Sequence, residues 1–169
     1  MQAAIFDRDG VINIESGYVR READFILAPR VGELFGRLVA DGIPIFVITN
    51  QGGVGLGLYD RKLLEKLHAP LFSMGVTELF FCPHHPLTGR CLCRKPESLF
   101  YERIAARYGL TRATMVGDRV RDLTPARKLG WATARLGKAH TEDPAFEPDF
   151  SFSDLAELAD NYSAVFGKN

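Results

Sequence analysis

Short apolar runs alternate along the chain with stretches in which apolar residues recur at helical spacing. The runs occupy residues 2–6, 43–48, 78–81, 113–116 and 131–136. Short runs that are apolar at nearly every position are typical of strands covered on both faces. Their alternation with helices predicts an α/β fold, a Rossmann-like three-layer sandwich with a mostly parallel central sheet.

Helical spacing is clearest in residues 31–39 and 63–71, where apolar residues recur every three or four positions. Pro70 lies near the end of the second segment and is expected to kink or shorten that helix. Ser98 and Ser153 have the side chain that commonly caps a helix N-terminus, so we expect one helix to begin after each of them.

The connections between these elements are uneven in length. Residues 10–29 show no periodicity, and a stretch that long inside a compact domain usually carries function. Residues 137–148 are rich in proline and charge and are expected to form a surface loop. No insertion is large enough for a cap domain, so residues 1–169 are predicted to form a single domain.

Composition narrows the classes of partner. Lys and Arg number 21 and Asp and Glu also number 21, so the chain has no long-range attraction to nucleic acid or anionic membranes. The N-terminus runs directly into a strand, and no apolar run approaches the length of a membrane span, so we expect a cytoplasmic protein. The sequence does not set the oligomeric state, and a monomer is consistent with it.

Polar side chains follow four of the predicted elements, where ligands bind in parallel sheets, beyond the carboxyl ends of the strands. These clusters are Asp7-Arg8-Asp9-Gly10, Thr49-Asn50-Gln51, Arg94-Lys95-Pro96 and Gly117-Asp118-Arg119, with Asp122 one helical turn beyond Asp118. Any one of them alone is more often a structural turn than a site. Four clusters in this order favour catalysis.

The residue types in these clusters suit phosphoryl transfer. Asp7, Asp9 and Asp118 offer the hard oxygen ligands that Mg²⁺ prefers, and an aspartate such as Asp7 can act as a nucleophile. Thr49 and Lys95 can hold phosphoryl oxygens, and phosphoryl transfer depends chiefly on such positioning. Asp9 can donate a proton to the leaving oxygen and later accept one from water. The expected ligand is a small phosphorylated metabolite.

Over most of the chain, these clusters resemble the haloacid dehalogenase (HAD) superfamily of phosphatases. The matching residues are Asp7-x-Asp9-Gly10, Thr49-Asn50, Lys95 and Gly117-Asp118-x-x-x-Asp122. The resemblance implies that Asp7 is the nucleophile, through a covalent aspartyl-phosphate, and also a metal ligand. It implies that Asp9 is the acid/base and lends its backbone carbonyl to Mg²⁺.

The resemblance also implies supporting roles for the other matching residues. Asp118 would complete the metal site, and Asp122 would support it. Thr49 and Lys95 would steady the phosphoryl group. Val11 departs from the family pattern, which usually has Thr or Ser there, and so removes a hydroxyl near the acid/base without removing a catalytic group.

All three cysteines lie in one short segment that also holds two histidines. Cys82-Pro83-His84 is followed by six residues and then by Cys91-Leu92-Cys93. Three thiolates and one imidazole suit tetrahedral Zn²⁺ with no open position, so residues 82–93 are predicted to form a structural zinc loop. His84 is favoured over His85 because Cys-x-His mirrors Cys-x-Cys, although spacing alone leaves both open. Free thiols beside a chance histidine are the alternative.

The zinc loop resembles two capless subfamilies of that superfamily, the heptose-bisphosphate phosphatases and the histidinol-phosphatase domains. The segment Glu15-Ser16-Gly17-Tyr18 is similar to the substrate loop of the former, which favours D-glycero-D-manno-heptose 1,7-bisphosphate as the substrate. Arg94 and Arg119 are expected to bind its second phosphate, because guanidinium matches phosphate oxygens bidentately. By resemblance the substrate contacts are Glu15, Ser16, Gly17, Tyr18, Thr49, Asn50, Gln51, Gly52, Arg94, Lys95 and Arg119.

Other features favour other functions. The glycine-rich segment 53–57, the sequence Gly117-Asp118-Arg119 and the short zinc loop are closer to the histidinol-phosphatase domains. A phosphatase for another sugar phosphate is a third option. A non-catalytic protein on this fold is disfavoured, because the chain keeps all four groups on which the chemistry depends: Asp7, Asp9, Lys95 and Asp118. A nucleic-acid phosphatase is disfavoured because the chain has no net positive charge.

Overall fold

The computed structural model describes residues 1–137 and 145–167. Its strands are β1 (Gln2–Phe6), β2 (Ile45–Asn50), β3 (Val76–Cys82), β4 (Arg112–Gly117), β5 (Ala132–Leu136) and β6 (Phe150–Phe152). They pair in parallel in the order β3-β2-β1-β4-β5-β6, which confirms the expected parallel sheet. All five apolar runs form strands. The sixth strand was not predicted, because Phe-Ser-Phe is too short to stand out as a run.

Helices cover both faces of the sheet. They are α1 (Val31–Ala40), α2 (Arg61–Ser73), α3 (Leu99–Tyr108), α4 (Val120–Lys128), α5 (Leu155–Asp160) and α6 (Tyr162–Phe166). The expectation that Pro70 shortens its helix is wrong, since α2 continues to Ser73. Leu71, the residue after the proline, is fully buried in the core, and this packing holds the last turn in place.

The two predicted serine caps have different outcomes. Ser98 occupies the N-cap of α3, but its hydroxyl donates to Glu102 Oε1 at 2.6 Å and makes no capping hydrogen bond. Ser153 does not cap the next helix. That position belongs to Asp154, whose carboxylate accepts from the backbone N–H of Glu157 at 2.9 Å. A carboxylate at the N-terminus also matches the helix dipole.

The core lies in two layers, one on each face of the sheet. Side chains alternate along β1, so Ala4 and Phe6 face the layer formed with α1, α5 and α6. Ala3 and Ile5 face the opposite layer, formed with α3 and α4. This arrangement confirms the three-layer sandwich.

The strand order places a crevice at the carboxyl ends of the central strands. The chain adds β2 and β3 on one side of β1 and then returns to place β4 on its other side. In open parallel sheets this reversal is where ligands bind. Most of the predicted surface loop, residues 138–144, lies outside the described residues. None of the helices in the described ranges is long and apolar enough to cross a bilayer.

Candidate active site

A cavity of about 350 Å³ opens at the carboxyl ends of β1, β2 and β4. It is lined by Asp7, Asp9, Glu15, Gly17, Tyr18, Thr49, Asn50, Gln51, Gly52, Tyr59, Arg94, Lys95, Asp118, Arg119 and Arg121. The structure therefore gathers the predicted catalytic residues and nearly all of the predicted substrate contacts in one place. Ser16 is exposed and lies outside the lining. Two lining residues, Tyr59 and Arg121, were not predicted.

Three carboxylates meet beside the carboxyl ends of β1 and β4, and two of them line this cavity. Oxygens of Asp7, Asp118 and Asp122 all lie within 4.8 Å of one another. Asp7 directly follows β1, and its backbone N–H donates to Val116 O at 2.9 Å, which continues the pairing with β4. Asp118 directly follows β4, and Asp122 is fully buried in the first turn of α4. Parallel pairing thus brings together residues that are more than one hundred positions apart in the chain.

Lys95 is the cation facing these carboxylates. Its Nζ lies 2.8 Å from Asp7 Oδ1, 2.8 Å from Asp122 Oδ1 and 2.8 Å from the carbonyl oxygen of Ile48. Burial alone would lower the pKa of Lys95, but the nearby carboxylates outweigh it and the pKa is raised. The ammonium therefore stays charged beside Asp7.

The acidic cluster has more buried negative charge than Lys95 can balance. Burial, with the charge of Asp122, raises the pKa of Asp7 to about 8 and that of Asp118 to about 6. A divalent cation held by oxygen ligands would relieve this excess, so the residues present fit Mg²⁺. Gly10 leaves room beside the cluster, because a Cβ there would lie 2.7 Å from Asp118 Oδ2.

The Asp9 carboxylate is turned away from this cluster into a network of donors. It accepts hydrogen bonds from Arg8, from Asn13 Nδ2 at 3.0 Å and from Gln51 Nε2 at 2.7 Å. Its side chain is not part of the acidic cluster. Any contact of Asp9 with a metal would therefore use its backbone carbonyl, as the sequence resemblance implies.

Gln51 links several of these groups. Its amide nitrogen donates to Thr49 Oγ1 and to Asp9 Oδ2, each at 2.7 Å, and its Oε1 accepts from the Tyr59 hydroxyl at 2.7 Å. Asn50 lines the cavity, and its amide pairs with the backbone N–H and C=O of Lys95 at 3.0 and 3.2 Å. The side-chain amides of Gln51 and Asn50 thus fix the Thr49 hydroxyl and the Lys95 backbone in position at the end of β2.

Tyr59 reaches Gln51 only because residue 53 has no side chain. A Cβ on Gly53 would lie 2.2 Å from Tyr59 Cε1. We expect Gly53→Ala to displace the ring, to destabilise the protein by about 1–3 kcal/mol and to reduce turnover. Thermal unfolding and phosphate release measure the two effects. Gly36→Ala in α1, where a Cβ meets no atom within 4 Å, is the control and should leave both unchanged or slightly improve stability.

The mouth of the cavity combines an acidic loop with arginines. Glu15 Oε1 accepts from the backbone N–H of Gly17 at 2.7 Å, and Gly17 has the positive φ of 75° that glycine adopts without strain. Arg119 Nε lies 3.3 Å from Asp118 Oδ2. Arg94 donates to the carbonyl oxygen of His84 at 3.1 Å, which connects the cavity to the cysteine segment.

The cysteine segment folds its four predicted ligands together. Sγ of Cys82 lies 3.6 Å from that of Cys91, 3.2 Å from that of Cys93 and 3.6 Å from His84 Nδ1. A tetrahedral zinc site with ordinary bond lengths has ligand–ligand separations of about 3.5–3.8 Å. The contacts of Cys82 with Cys91 and with His84 lie in this range and its contact with Cys93 is shorter, so the four donors together fit Zn²⁺. His85 is directed elsewhere, since its Nδ1 accepts from the backbone N–H of Leu87 at 3.2 Å.

Known proteins that are similar to this chain are phosphatases, which agrees with the arrangement of side chains in the cavity. Residues 92–158 match the HAD-hydrolase-like family model. The chain is 36% identical to a D-glycero-beta-D-manno-heptose-1,7-bisphosphate 7-phosphatase of Pseudomonas aeruginosa, over 92% of this chain and 94% of the other. It is 38% identical to that of Bordetella bronchiseptica, over 78% of each.

Solved structures give the same result. A crystal structure of the D,D-heptose 1,7-bisphosphate phosphatase of B. bronchiseptica with magnesium and phosphate superposes with a TM-score of 0.85 at 32% identity, covering 97% of this chain and 99% of the other. A HAD-like phosphatase structure from Mesorhizobium loti gives 0.79 at 26% identity, over 98% of this chain and 86% of the other. The protein therefore belongs to the HAD-like phosphatases, in the family of the heptose-bisphosphate phosphatases.

Proposed function

We propose that this phosphatase removes the 7-phosphate of D-glycero-D-manno-heptose 1,7-bisphosphate, with Asp7 as the nucleophile. The observation that supports this most strongly is the meeting of Asp7, Asp118 and Lys95 at the floor of one cavity. A nucleophilic carboxylate needs a partner that holds it and positive charge that receives the phosphoryl oxygens. Lys95 holds the carboxylate directly, with its Nζ 2.8 Å from Asp7 Oδ1.

The reaction would proceed in two steps on these side chains. An Asp7 oxygen attacks phosphorus and forms an acyl-phosphate, while the bond from phosphorus to the sugar oxygen breaks and Asp9 gives that oxygen a proton. Asp9 then takes a proton from water, which attacks phosphorus, releases phosphate and restores the Asp7 carboxylate. Thr49 and Lys95 hold the phosphoryl oxygens in both steps.

Two metal ions would have separate functions. Asp7, Asp118 and the backbone carbonyl of Asp9 would hold Mg²⁺, which supplies charge neutralisation for the transferred phosphoryl group. Cys82, His84, Cys91 and Cys93 would hold Zn²⁺ as a structural ion.

The substrate assignment rests on charge at the cavity mouth and on the relatives. Arg94, Arg119 and Arg121 line the cavity and can bind a second phosphate some distance from Asp7. One of the features that favoured histidinol phosphate, the glycine-rich segment 53–57, has a local explanation. Gly53 makes room for Tyr59, and a Cβ on Gly55 would lie 2.7 Å from the carbonyl oxygen of Pro83. Packing therefore accounts for these glycines without reference to substrate.

We expect kcat/KM for the heptose bisphosphate to exceed that for histidinol phosphate and for sugar monophosphates. Arg94→Met should lower kcat/KM for the bisphosphate by about 10- to 100-fold, the value of a charge-assisted contact, and change the monophosphates little. Arg107→Met, which removes an exposed arginine paired with Glu78, is the control. A clear preference of the native protein for histidinol phosphate would refute the substrate assignment.

A further inference from the structure

Arg8 lies between the two aspartates proposed to carry the chemistry, yet its side chain does not line the cavity. It is 1% exposed, and its guanidinium lies 5.4 Å from the centre of the Phe25 ring. Burying a charged guanidinium is unfavourable unless its charge and its donors are matched. The groups that contact Arg8 therefore indicate the function of its buried charge.

The first partner of Arg8 is Asp9. Arg8 Nε lies 3.1 Å from Asp9 Oδ1, and its terminal nitrogen Nη2 lies 2.8 Å from Oδ1 and 2.9 Å from Oδ2. A planar guanidinium that contacts both oxygens fixes the plane of the carboxylate as well as its position. Asn13 and Gln51 complete the set of donors around it.

The second partner of Arg8 is His68, from α2. Arg8 Nη1 lies 3.0 Å from His68 Nε2, and His68 is only 4% exposed. Because an arginine nitrogen can only donate, Nε2 must accept and the ring proton lies on Nδ1. Burial, together with the Arg8 charge, lowers the pKa of His68 to about 3, so the ring stays neutral and available as an acceptor.

We propose that His68 and Arg8 are positioning residues for Asp9: His68 anchors the guanidinium, and the guanidinium holds the carboxylate where it can serve the leaving oxygen. This inference rests on the proposed function, in which Asp9 is the acid/base. An acid must lie within about 2.6–3.2 Å of the oxygen that it protonates, so a small rotation of Asp9 is costly. Without the acceptor on His68, Arg8 Nη1 would be buried without that partner, and the guanidinium would be held from the Asp9 side alone.

The inference predicts that the defect depends on the leaving group. Departure of a sugar alkoxide requires a proton from Asp9, whereas nitrophenolate and acetate leave as anions. Attack by Asp7 is common to both classes of ester. Misplacing Asp9 should therefore slow the first step of sugar phosphate hydrolysis, which kcat/KM reports, and leave activated esters nearly unaffected.

The test compares His68→Leu, His68→Gln and Leu71→Ala with the native protein. Substrates are the preferred sugar phosphate and an activated ester, either p-nitrophenyl phosphate or acetyl phosphate, whichever the native protein hydrolyses faster. For His68→Leu we expect kcat/KM for the sugar phosphate to fall by about 10- to 100-fold, a part of what general acid catalysis contributes, and for the activated ester by less than about threefold. His68→Gln keeps an acceptor near Nε2 and should recover most of the loss.

Leu71→Ala is the matched control, because it opens a cavity one turn further along the same helix. Neither leucine nor alanine can accept a hydrogen bond from Arg8, so this change tests packing alone. It should lower thermal stability without changing the ratio of kcat/KM between the two esters. Should His68→Leu fail to fold, Arg8→Lys gives the same test, since a lysine keeps the charge but cannot contact His68 and both Asp9 oxygens together. It should show the same selective loss.

Equal losses on both esters, or no loss on either, would overturn the positioning role, as would a His68→Gln variant as defective as His68→Leu. The proposed function fails in a different way. In that case the native protein itself hydrolyses neither ester with Mg²⁺ present, and the positioning role falls with it.

Discussion

Asp7→Asn should reduce turnover by about 10⁴-fold or more, because the amide cannot replace the attacking carboxylate. The change is nearly isosteric, and Lys95 keeps its contacts with Asp122 and with the carbonyl oxygen of Ile48. We therefore expect the variant to fold normally. Loss of activity with an unchanged circular dichroism spectrum would be a chemical defect rather than a structural one.

Rapid acid quenching with labelled substrate provides the direct measurement. The native protein should yield a phosphorylated chain that hydroxylamine cleaves, as expected of an acyl-phosphate, and Asp7→Asn should yield none. Asp160→Asn is the control, because Asp160 is exposed and pairs with Arg30 on the surface. A variant at position 7 that keeps a near-native rate would show that another group is the nucleophile.

The shared location of Asp7 and Asp118 could be predicted because parallel strands end at one edge of a sheet. Asp7 and Asp118 each directly follow a predicted strand, which places both at the same edge of the sheet, and the pairing of β1 with β4 then brings them together. Lys95 does not follow a strand, and its placement depends on the Asn50 side chain, which pairs with its backbone. The sequence indicated its chemistry but not the contact that positions it.

The residues that the sequence did not reveal act through side-chain contacts that leave no periodic pattern in the chain. His68 has the spacing of an ordinary buried residue on α2, and nothing near it in the chain indicates that Arg8 donates to it. Tyr59 lies in a loop without periodicity. Its signal was Gly53, whose missing side chain makes room for the ring, but a glycine shows only that space is needed and not for which group.

The same limit explains the errors in the fold. Local preference suggested a cap at Ser153 and a shortened helix at Pro70. The cap went to the adjacent Asp154, which binds the N–H of Glu157, and burial of Leu71 carried α2 past the proline. In both cases a neighbouring residue decided the outcome, Asp154 through a hydrogen bond and Leu71 through its burial in the core.

The cysteine segment is coupled to the catalytic cavity through the backbone. Gln51 N donates to the carbonyl oxygen of Cys82 at 2.7 Å, and Gly55 N donates to that of Pro83 at 2.8 Å. The carbonyl oxygen of His84 accepts from Arg94. If a metal ion holds this segment, it also holds the residues that follow β2 and the arginine at the cavity mouth. Disorder in the segment should therefore reach the substrate site.

We expect His84→Gln to lose bound zinc and to unfold at least about 10 °C below the native protein, because a structural zinc ion contributes several kcal/mol to folding. Elemental analysis and thermal unfolding measure the two effects. His85→Gln is the matched control, since the side chain of His85 caps the turn at Pro86–Thr88 and lies outside the cysteine cluster. It should keep the metal and lose little stability.

Zinc retained in His84→Gln but lost in His85→Gln would reverse the ligand assignment. Elemental analysis that finds no zinc in the purified native protein would exclude the site. Because Arg94 donates to the backbone carbonyl of His84, His84→Gln should also weaken the preference for a bisphosphate. Its kcat/KM for activated esters should fall less.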